Sequence, residues 1–407
     1  MLIKFKKNMN KKTNNFISRE MLVSANNYKP LPVVISHGKG AWVKDVEGKK
    51  YLDMLSAYSA LNQGHCHPKI IAAAKHQMDS LTLTSRAFHN DKMAVFLEEL
   101  CSVSGYDKAL LMNSGAEAVE TALKAVRRWG SVTKKVENPE IIVMSSNFHG
   151  RTTTIISFST DESSREGYGP FNPGFKIVEY GNIVALRDAI GSSTVAVLLE
   201  PIQGEAGVVI PPEGYLEACS QLCKEQNILL AVDEIQTGLG RTGRLFCYQH
   251  SNIKPDIVIV GKALGGGVYP VSGILASAEI MDVAFEPGSH GSTFGGNPLA
   301  CAIASASLKV IIEEGLVENS AHVGAYLNDQ LLSIANDQIQ EVRGKGLMVA
   351  IELTKKAKSA RYYSQKLMDL GVLVKGTHEN IIRLAPPLII NKKDVDWAVE
   401  KIREVFN

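Results

Sequence analysis

The chain has 407 residues, of which 45% are hydrophobic and 21% are charged, and its formal net charge is +2. This composition is typical of a globular protein long enough for two domains with a large core. The balance of 44 basic and 42 acidic residues does not favour binding to nucleic acid or to an anionic membrane. No apolar run approaches the roughly 20 residues of a membrane-spanning helix.

The N-terminal region shows only weak structural patterns. Residues 1–15 are basic and rich in asparagine, and they lack the apolar stretch and cleavage site of a signal peptide. We therefore predict a disordered start, residues 1–20. Strand-like pieces broken by turns follow between residues 28 and 62. The six scattered cysteines form no CxxC pair, which favours reduced thiols in a cytoplasmic protein.

From about residue 65 to 300, strand and helix patterns alternate, which indicates βαβ units and a mostly parallel sheet. Amphipathic stretches, for example 114–129 and 214–226, predict helices between the strands. One strand, 271–276, is a candidate for antiparallel pairing. Short apolar runs predict strands at 108–112, 141–145, 194–199, 228–232, 257–260 and 271–276.

After residue 300 the pattern changes to a mixture of helices and short strands, which predicts a second, α+β domain. The predicted helices cover residues 300–315, 320–335, 360–370 and 393–406. The predicted strands lie near residues 338–343, 347–353, 372–375 and 381–384.

Two ionisable residues follow apolar runs of the predicted sheet. Asp233 comes after residues 228–232, and Lys262 comes after residues 257–261. Open α/β sheets bind ligands at the carboxyl ends of their strands, so we expect the carboxylate and the amine to face one crevice. Pyridoxal phosphate requires such a pair, because a lysine carries it as a Schiff base and an aspartate keeps its pyridine nitrogen protonated. The pair therefore favours a site for that cofactor.

Three further segments follow strand candidates at the same edge. Residues 113–117 have capping-box spacing and open a helix, whose N-terminus suits a phosphate, although a simple capped helix fits the same residues. Residues 200–207 place a carboxylate at this edge of the predicted sheet, where the strands have their carboxyl ends. Residues 148–151 combine an aromatic ring with a guanidinium, which suits ring stacking and carboxylate binding. Each segment taken alone is also compatible with an ordinary loop.

Three other motifs in the sequence do not support the functions they suggest. Residues 238–243 match GxGxxG, but they do not directly follow a strand, and no acidic residue ends the next one, so dinucleotide binding is disfavoured. The Val232-Asp233-Glu234 stretch resembles a Walker B end, but the chain contains no GxxxxGK[ST] motif. The histidines at 65 and 67 lack a third metal ligand at suitable spacing, which favours a structural role.

Taken together, these segments resemble the class III, fold type I aminotransferases that depend on pyridoxal phosphate, over roughly residues 20–405. The resemblance implies a large domain at 65–300 with a mostly parallel sheet, a smaller α+β domain at 301–407, and a segment at 21–64 that packs with the small domain and the active site. The stretches that carry it are LLAVDEIQTGLGRTGRLF, PDIVIVGKALGGGVYPVS and HGSTFGGNPLA.

The resemblance also implies roles at the cofactor. Lys262 would hold the cofactor and move a proton, Asp233 would pair with the pyridine nitrogen, Gln236 would bond the ring hydroxyl, and Phe148 would stack on the ring. Thr293 would reach the phosphate of the partner subunit, so the active unit would be a homodimer with shared sites. No role is assigned to His149. The full set is Ser114, Gly115, Ala116, Phe148, Asp233, Gln236, Lys262 and Thr293.

Five shorter segments resemble the branch of the family that uses ornithine: NNYKPLPV, LSAYSALNQGHCHP, NFHGRT, EPIQGEAGV and RLAPPL. In that branch Tyr28 and Arg151 would hold the α-carboxylate of L-ornithine, and Tyr58 would line the pocket. Arg383 would bind the α-carboxylate of glutamate or 2-oxoglutarate, and Glu205 would mask it while ornithine reacts. The expected activity is transfer of the δ-amino group of L-ornithine to 2-oxoglutarate.

Three alternative functions are also compatible with the sequence. The nearest is another ω-amine specificity, for acetylornithine, 4-aminobutyrate or lysine. A protein that binds pyridoxal phosphate without turnover is a second, and a nicotinamide-dependent oxidoreductase is a third. No metal is expected.

Overall fold

The computed structural model describes residues 11–407, which form fifteen strands and thirteen helices in that range. The strands are β1 (Ile35–Lys39), β2 (Trp42–Asp45), β3 (Lys50–Asp53), β4 (Lys108–Met112), β5 (Glu140–Met144), β6 (Phe175–Val178), β7 (Thr194–Leu199), β8 (Leu229–Asp233), β9 (Ile257–Val260), β10 (Ser272–Ala276), β11 (Ile339–Lys345), β12 (Met348–Leu353), β13 (Val372–Leu373), β14 (Lys375–Thr377) and β15 (Ile381–Leu384).

The helices differ widely in length, and α2 is a single turn. They are α1 (Lys11–Val23), α2 (Ser56–Ser59), α3 (Pro68–Met78), α4 (Asp91–Ser104), α5 (Gly115–Val132), α6 (Thr153–Ile156), α7 (Ile183–Ala189), α8 (Tyr215–Glu225), α9 (Ala278–Ala284), α10 (Pro298–Glu313), α11 (Leu316–Leu332), α12 (Ala360–Asp369) and α13 (Lys392–Phe406). Within residues 11–407, no helix has the length and apolar character needed to cross a membrane.

The central sheet has the strand order β4-β10-β9-β8-β7-β5-β6. The pairs from β9 to β6 are parallel, and β10 is antiparallel to both of its neighbours. This arrangement confirms the mostly parallel sheet with an antiparallel strand at 271–276. The strands β7, β8 and β9 are buried along their whole length, which explains their continuous apolar sequences.

Helices cover both faces of the central sheet. Apolar residues of α5 and α9 pack on one face, and those of α7 and α8 pack on the other. Helix α10 packs against α3 and α4. The C-terminal elements form a second sheet, β11-β12-β15-β14, which contacts α11 and α12, and α13 packs against these two helices. The N-terminal strands join this region through the parallel pair β3–β13.

Two local features differ from the sequence predictions. Residues 11–20, expected to be disordered, belong to α1, where the Thr13 amide donates a hydrogen bond to the Glu47 carboxylate. Residues 1–10, the rest of that prediction, lie outside the described residues. Strand β6 was not predicted, because only Val178 of its four residues is buried and the apolar pattern is too short.

Candidate active site

A cavity of about 210 Å³ lies at the carboxyl ends of the central strands. The loops after β4, β5, β7, β8 and β9 all contribute to its wall. Because β10 is antiparallel to both β4 and β9, the carboxyl end of β4 reaches the same edge as those of the parallel strands. The edge where sequence reasoning placed Asp233 and Lys262 is therefore the edge that forms the cavity.

Asp233 is the last residue of β8, and it is 5% exposed. One carboxylate oxygen, Oδ1, accepts a hydrogen bond from the Ile235 amide at 3.0 Å. The other, Oδ2, lies 2.7 Å from Nδ1 of the buried His149. Burial acts to lower the pKa of His149, but the hydrogen bond to Asp233 and the charges of Asp233 and Glu200 outweigh burial and raise it. The His149–Asp233 pair thus holds a proton between the loop after β5 and the end of β8. The Asp233 carboxylate of this pair faces the cavity.

His149 is a functional candidate that sequence reasoning missed. Among residues 11–407, its second ring nitrogen, Nε2, has no hydrogen-bond partner. Its contact with Asp233 joins positions 84 apart in sequence, so no local pattern could reveal it. The available signal was its place directly after Phe148, at the same strand edge as the aspartate.

Lys262 follows β9 and lines the cavity. Its backbone φ is +46°, a conformation that costs a residue with a side chain roughly 1–3 kcal/mol and is often found at functional sites. Burial lowers the pKa of its amine to about 8, against the opposing effects of Glu205 and Asp233. The neutral amine, which is the nucleophilic form, is therefore far more populated near pH 7 than in an exposed lysine.

The N-terminus of α5 forms another part of the wall. Gly115 and Ala116 line the cavity, and the 18-residue helix behind them favours a negative charge there. Ser114 forms a reciprocal capping box with Glu117, in which its hydroxyl accepts from the Glu117 amide and its own amide donates to the Glu117 carboxylate. Because these bonds occupy the Ser114 amide, the backbone amides available to an anion are those of Gly115 and Ala116.

Glu200 and Phe148 lie on the loops after β7 and β5. The Glu200 carboxylate accepts a hydrogen bond from the Phe148 amide at 3.0 Å. Burial raises the pKa of Glu200 to about 7. The Phe148 ring lines the cavity, and the exposed Arg151 guanidinium lies 5.8 Å from its centre. The structure thus brings together the aromatic ring and the guanidinium that the sequence paired.

Arg383, on β15, forms an ion pair with Glu205. The Arg383 Nη1 lies 2.6 Å from Glu205 Oε1 and also donates to the Gly204 carbonyl at 3.1 Å. Arg383 is 1% exposed, and within the described part of the chain its Nε and Nη2 have no hydrogen-bond partner. Burial acts to raise the pKa of Glu205, but the charge and hydrogen bond of Arg383 outweigh it and lower the pKa.

The Tyr58 ring contacts two cations. Arg383 Cζ lies 5.5 Å from the ring centre, and Lys375 Nζ lies 4.7 Å from it. Lys375 and Arg383 are direct register partners on β14 and β15, so their side chains share one face. Gln236 lines the cavity, with its Nε2 3.4 Å from both the Tyr58 carbonyl and the Glu205 carboxylate. The predicted substrate residues Tyr58, Glu205 and Arg383 are therefore neighbours.

Two predicted residues lie apart from this cluster in the single chain. Tyr28 is 73% exposed and does not line the cavity. Thr293 is exposed on the loop before α10. The predicted roles of both residues, as of the rest of the site, stay predictions.

Residues 23–406 match the family described as aminotransferase class-III. The chain belongs to this family. Among curated proteins, ornithine aminotransferase of Brevibacillus brevis is 57% identical over 97% of this chain and 99% of its own length. Ornithine aminotransferase of Bacillus subtilis is 54% identical over 97% of this chain and 98% of its own length.

Solved structures of aminotransferases share the fold. An ornithine aminotransferase structure from Toxoplasma gondii has a TM-score of 0.95 and 42% identity, covering 97% of this chain and 94% of that chain. An acetylornithine aminotransferase from Elizabethkingia anophelis has a TM-score of 0.90 and 48% identity, covering 98% and 99%. The architecture is the fold type I of aminotransferases that depend on pyridoxal phosphate, as the sequence predicted.

The residues around the cavity fit pyridoxal phosphate. Lys262, whose amine has a lowered pKa, lines the same cavity as Asp233, which a buried histidine supports. The amine suits the carbonyl group of the cofactor, and the carboxylate suits its pyridine nitrogen. The helix N-terminus at Gly115 suits a phosphate. Lys262, Asp233 and this helix N-terminus would hold the cofactor, which supplies an electron sink for carbanion chemistry when bound.

Proposed function

We propose that the protein is an ornithine δ-aminotransferase, which transfers the δ-amino group of L-ornithine to 2-oxoglutarate. The products would be glutamate 5-semialdehyde, which cyclises to pyrroline-5-carboxylate, and glutamate. The ion pair between Arg383 and Glu205, in the same pocket as Lys262, carries this proposal. Curated relatives named ornithine aminotransferase, at 54–57% identity over nearly the full chain, support it.

The ion pair addresses a problem of substrate orientation. Ornithine must present its δ-amine to the reactive centre, whereas glutamate must present its α-amine to the same centre. An unpaired Arg383 would bind ornithine's own α-carboxylate and deliver the wrong amine. While Glu205 holds the guanidinium at 2.6 Å, that binding mode must first break an ion pair whose guanidinium is buried and whose carboxylate is partly exposed. A 2-oxoglutarate carboxylate would compete for the same guanidinium, whose Nη2 and Nε have no partner among residues 11–407.

The chain's own residues would divide the remaining work. Lys262, with its pKa of about 8, can take up and release a proton near neutral pH. Asp233 and His149 keep a negative charge and a proton fixed at the cavity wall, so the charge does not need to reorganise during reaction. Phe148 offers an aromatic face to a planar ring.

The end of the pocket that binds ornithine's α-carboxylate is assigned to Tyr28 and Arg151. Both side chains are exposed in the single chain, so they remain accessible to a substrate or to a partner subunit. A homodimer with shared sites would also bring Thr293 to the phosphate of its partner. Exposed apolar side chains such as Phe88 and Phe294 offer contact area for such a partner.

We also place the protein in the cytoplasm. The six cysteines, all in the described part of the chain, are free thiols there, which supports a reducing compartment.

An acetylornithine aminotransferase is the second candidate. The Elizabethkingia anophelis structure named for that activity is 48% identical, a higher value than the 42% of the Toxoplasma gondii ornithine aminotransferase. The two candidates differ in whether the α-amine of the substrate is free or acetylated. An assay with both substrates separates them.

The test is the visible absorption of the purified protein mixed with one amino donor and no oxo acid. L-ornithine should abolish the yellow band of the bound cofactor and yield pyrroline-5-carboxylate in proportion to the number of sites. N-acetylornithine and 4-aminobutyrate should react far more slowly. A band that responds to N-acetylornithine but not to L-ornithine would overturn the proposal in favour of the second candidate.

A further inference from the structure

Arg241 lies in the Gly238–Gly243 stretch, whose GxGxxG spacing does not directly follow a strand. Its side chain is fully buried, with an exposure of 0%. Its Nη1 donates to the carbonyls of Leu347 at 2.8 Å and Pro386 at 2.6 Å. Its Nη2 donates to the Ser56 hydroxyl at 3.1 Å and to the Asn62 side-chain carbonyl. All four acceptors are neutral groups, so the bonds serve to fix positions rather than to pair charges.

The acceptors of Arg241 belong to two structural units. Ser56 and Asn62 lie in and just after the α2 turn, which carries Tyr58. Leu347 and Pro386 flank β12 and β15, and β15 carries Arg383. The planar Arg241 guanidinium therefore bridges two segments. One of them carries the Tyr58 ring, and the other is the strand that carries Arg383. A planar fork of donors is well suited to such a bridge, because its donor directions are fixed relative to one another.

The α2 turn needs this support, because its backbone is strained. Its four residues have φ values of +45°, +47°, +61° and +71°, and none of them is glycine. Asp53 Oδ1 accepts from the amides of Leu55 and Ser56, both at 2.9 Å. The Ser56 hydroxyl donates to the Ala385 carbonyl at 2.6 Å while it accepts from Arg241. A strained conformation persists only where several such bonds define it together.

Backbone hydrogen bonds also join these two segments, from Ala385 to Met54 and from Leu388 to Asn62. These bonds lie on either side of the turn. The relay from Arg241 through Ser56 to Ala385 acts within the turn, two residues from Tyr58. The Tyr58 ring lies 5.5 Å from the Arg383 guanidinium. A small shift of the turn would therefore change the distance between the ring and the guanidinium.

We propose that Arg241 is a positioning residue for carboxylate recognition, which fixes Tyr58 against Arg383 through the Ser56 hydroxyl and thereby sets the affinity for dicarboxylate substrates. This inference rests on the proposed function for the role of Arg383. Arg241 itself does not line the cavity. Its effect should therefore appear in the binding of the oxo acid rather than in the chemical step.

The test uses Arg241→Lys, which keeps the charge but lacks the fork, and Ser56→Ala, which interrupts the relay without removing a buried charge. Ser320→Ala is the matched control. Ser320 is also buried, and its hydroxyl donates to the Arg241 carbonyl and accepts from the Leu347 amide, which also donates to the Arg241 carbonyl, so it contacts backbone atoms and not the turn. The KM for 2-oxoglutarate should rise about tenfold in the first two variants, while kcat changes less than about twofold. Ser320→Ala should behave like the parent protein.

A second readout needs no turnover. Binding of glutarate, a dicarboxylate without amino or oxo groups, is followed on the holoenzyme by isothermal titration calorimetry. Its Kd should rise about tenfold in Ser56→Ala but not in Ser320→Ala. Equal glutarate affinity in both serine variants would overturn the proposal, as would a parallel loss of kcat without a change in KM. If Arg241→Lys does not fold, Ser56→Ala decides the question alone.

The glutarate measurement also separates this inference from the proposed function. If the parent protein fails to react with L-ornithine, the proposed function falls, whereas the effect of Ser56→Ala on glutarate affinity still tests the positioning role. If L-ornithine reacts and glutarate affinity does not respond to Ser56→Ala, only the inference about Arg241 is refuted.

Discussion

Replacing Glu205 with alanine should change which amino group of ornithine reacts. In the proposed function the Arg383–Glu205 pair, at 2.6 Å, would prevent the guanidinium from capturing ornithine's α-carboxylate. In Glu205→Ala the guanidinium keeps only its bond to the Gly204 carbonyl, so a substrate carboxylate can bind it without displacing a partner. Attack at the α-amine should therefore increase relative to attack at the δ-amine.

The size of this change follows from the surroundings of the pair. Two unit charges about 4 Å apart interact with about 4 kcal/mol at an effective dielectric constant of about 20. The Arg383 side chain is 1% exposed, but that of Glu205 is 23% exposed, so solvent screening reduces the value. We take about 2–3 kcal/mol, which corresponds to an increase of about 30- to 150-fold in the ratio of α- to δ-products.

The assay mixes the variant with L-ornithine without an oxo acid and resolves the products by NMR. Reaction at the δ-amine gives pyrroline-5-carboxylate, and reaction at the α-amine gives the isomeric pyrroline-2-carboxylate. Glu213→Ala is the control, because Glu213 is exposed on the same connection between β7 and α8 and does not line the cavity. An unchanged product ratio in a folded Glu205→Ala protein would refute the masking argument.

Three further predictions concern the cavity wall. Lys262→Ala should lower kcat at least about 10³-fold, measured by steady-state turnover, because within residues 11–407 no other lysine lines the cavity to replace the proton transfer proposed for Lys262; a smaller loss would contradict that role. Gly204→Ala should impair turnover, because an added Cβ would lie 1.5 Å from Gln236 Oε1. Gly191→Ala, where an added Cβ would lie in open space, should not impair turnover. Equal activities of the two variants would argue against close packing between Gly204 and Gln236. Burial raises the pKa of Glu200 to about 7, so between about pH 4.5 and 7 the folded state binds more protons than the unfolded state, and stability contributed by this group falls as pH rises. In thermal unfolding experiments, the free energy of unfolding of Glu200→Gln should therefore rise relative to that of the parent protein by up to about 3 kcal/mol between about pH 4.5 and 7, with no further rise above pH 7. A difference that does not depend on pH would contradict the burial argument.

The sequence predicted the sheet well because buried parallel strands have continuous apolar sequences. Residues 194–199 and 257–260 match β7 and β9 at both ends. Asp233 and Lys262 could be placed on one edge because strand direction alone brings them together. The edge strand β6 has no such pattern, because only one of its four residues is buried.

The contacts that sequence reasoning missed are those between distant positions. Nothing local distinguishes His149 as the partner of Asp233, or Arg241 as a fully buried bridge to Ser56 and Pro386. The left-handed turn at residues 56–59 was equally hidden, because none of its residues is glycine. Such features depend on tertiary contacts that outweigh local conformational preference.

The cross-strand pair of Lys375 and Arg383 has a consequence for how substrates arrive. The side chains of Lys375 and Arg383 share one face of the second sheet, and Arg383 is bonded to the Glu205 carboxylate. The positive charge of Lys375, beside the Arg383–Glu205 pair, attracts dianions over a distance set by the Debye length, about 8 Å at physiological ionic strength. The encounter rate with 2-oxoglutarate should consequently fall with added salt much more steeply than that with zwitterionic or singly charged amino acids. A chain whose overall charge is close to neutral thus still places a lysine where it can attract one of the two proposed substrates.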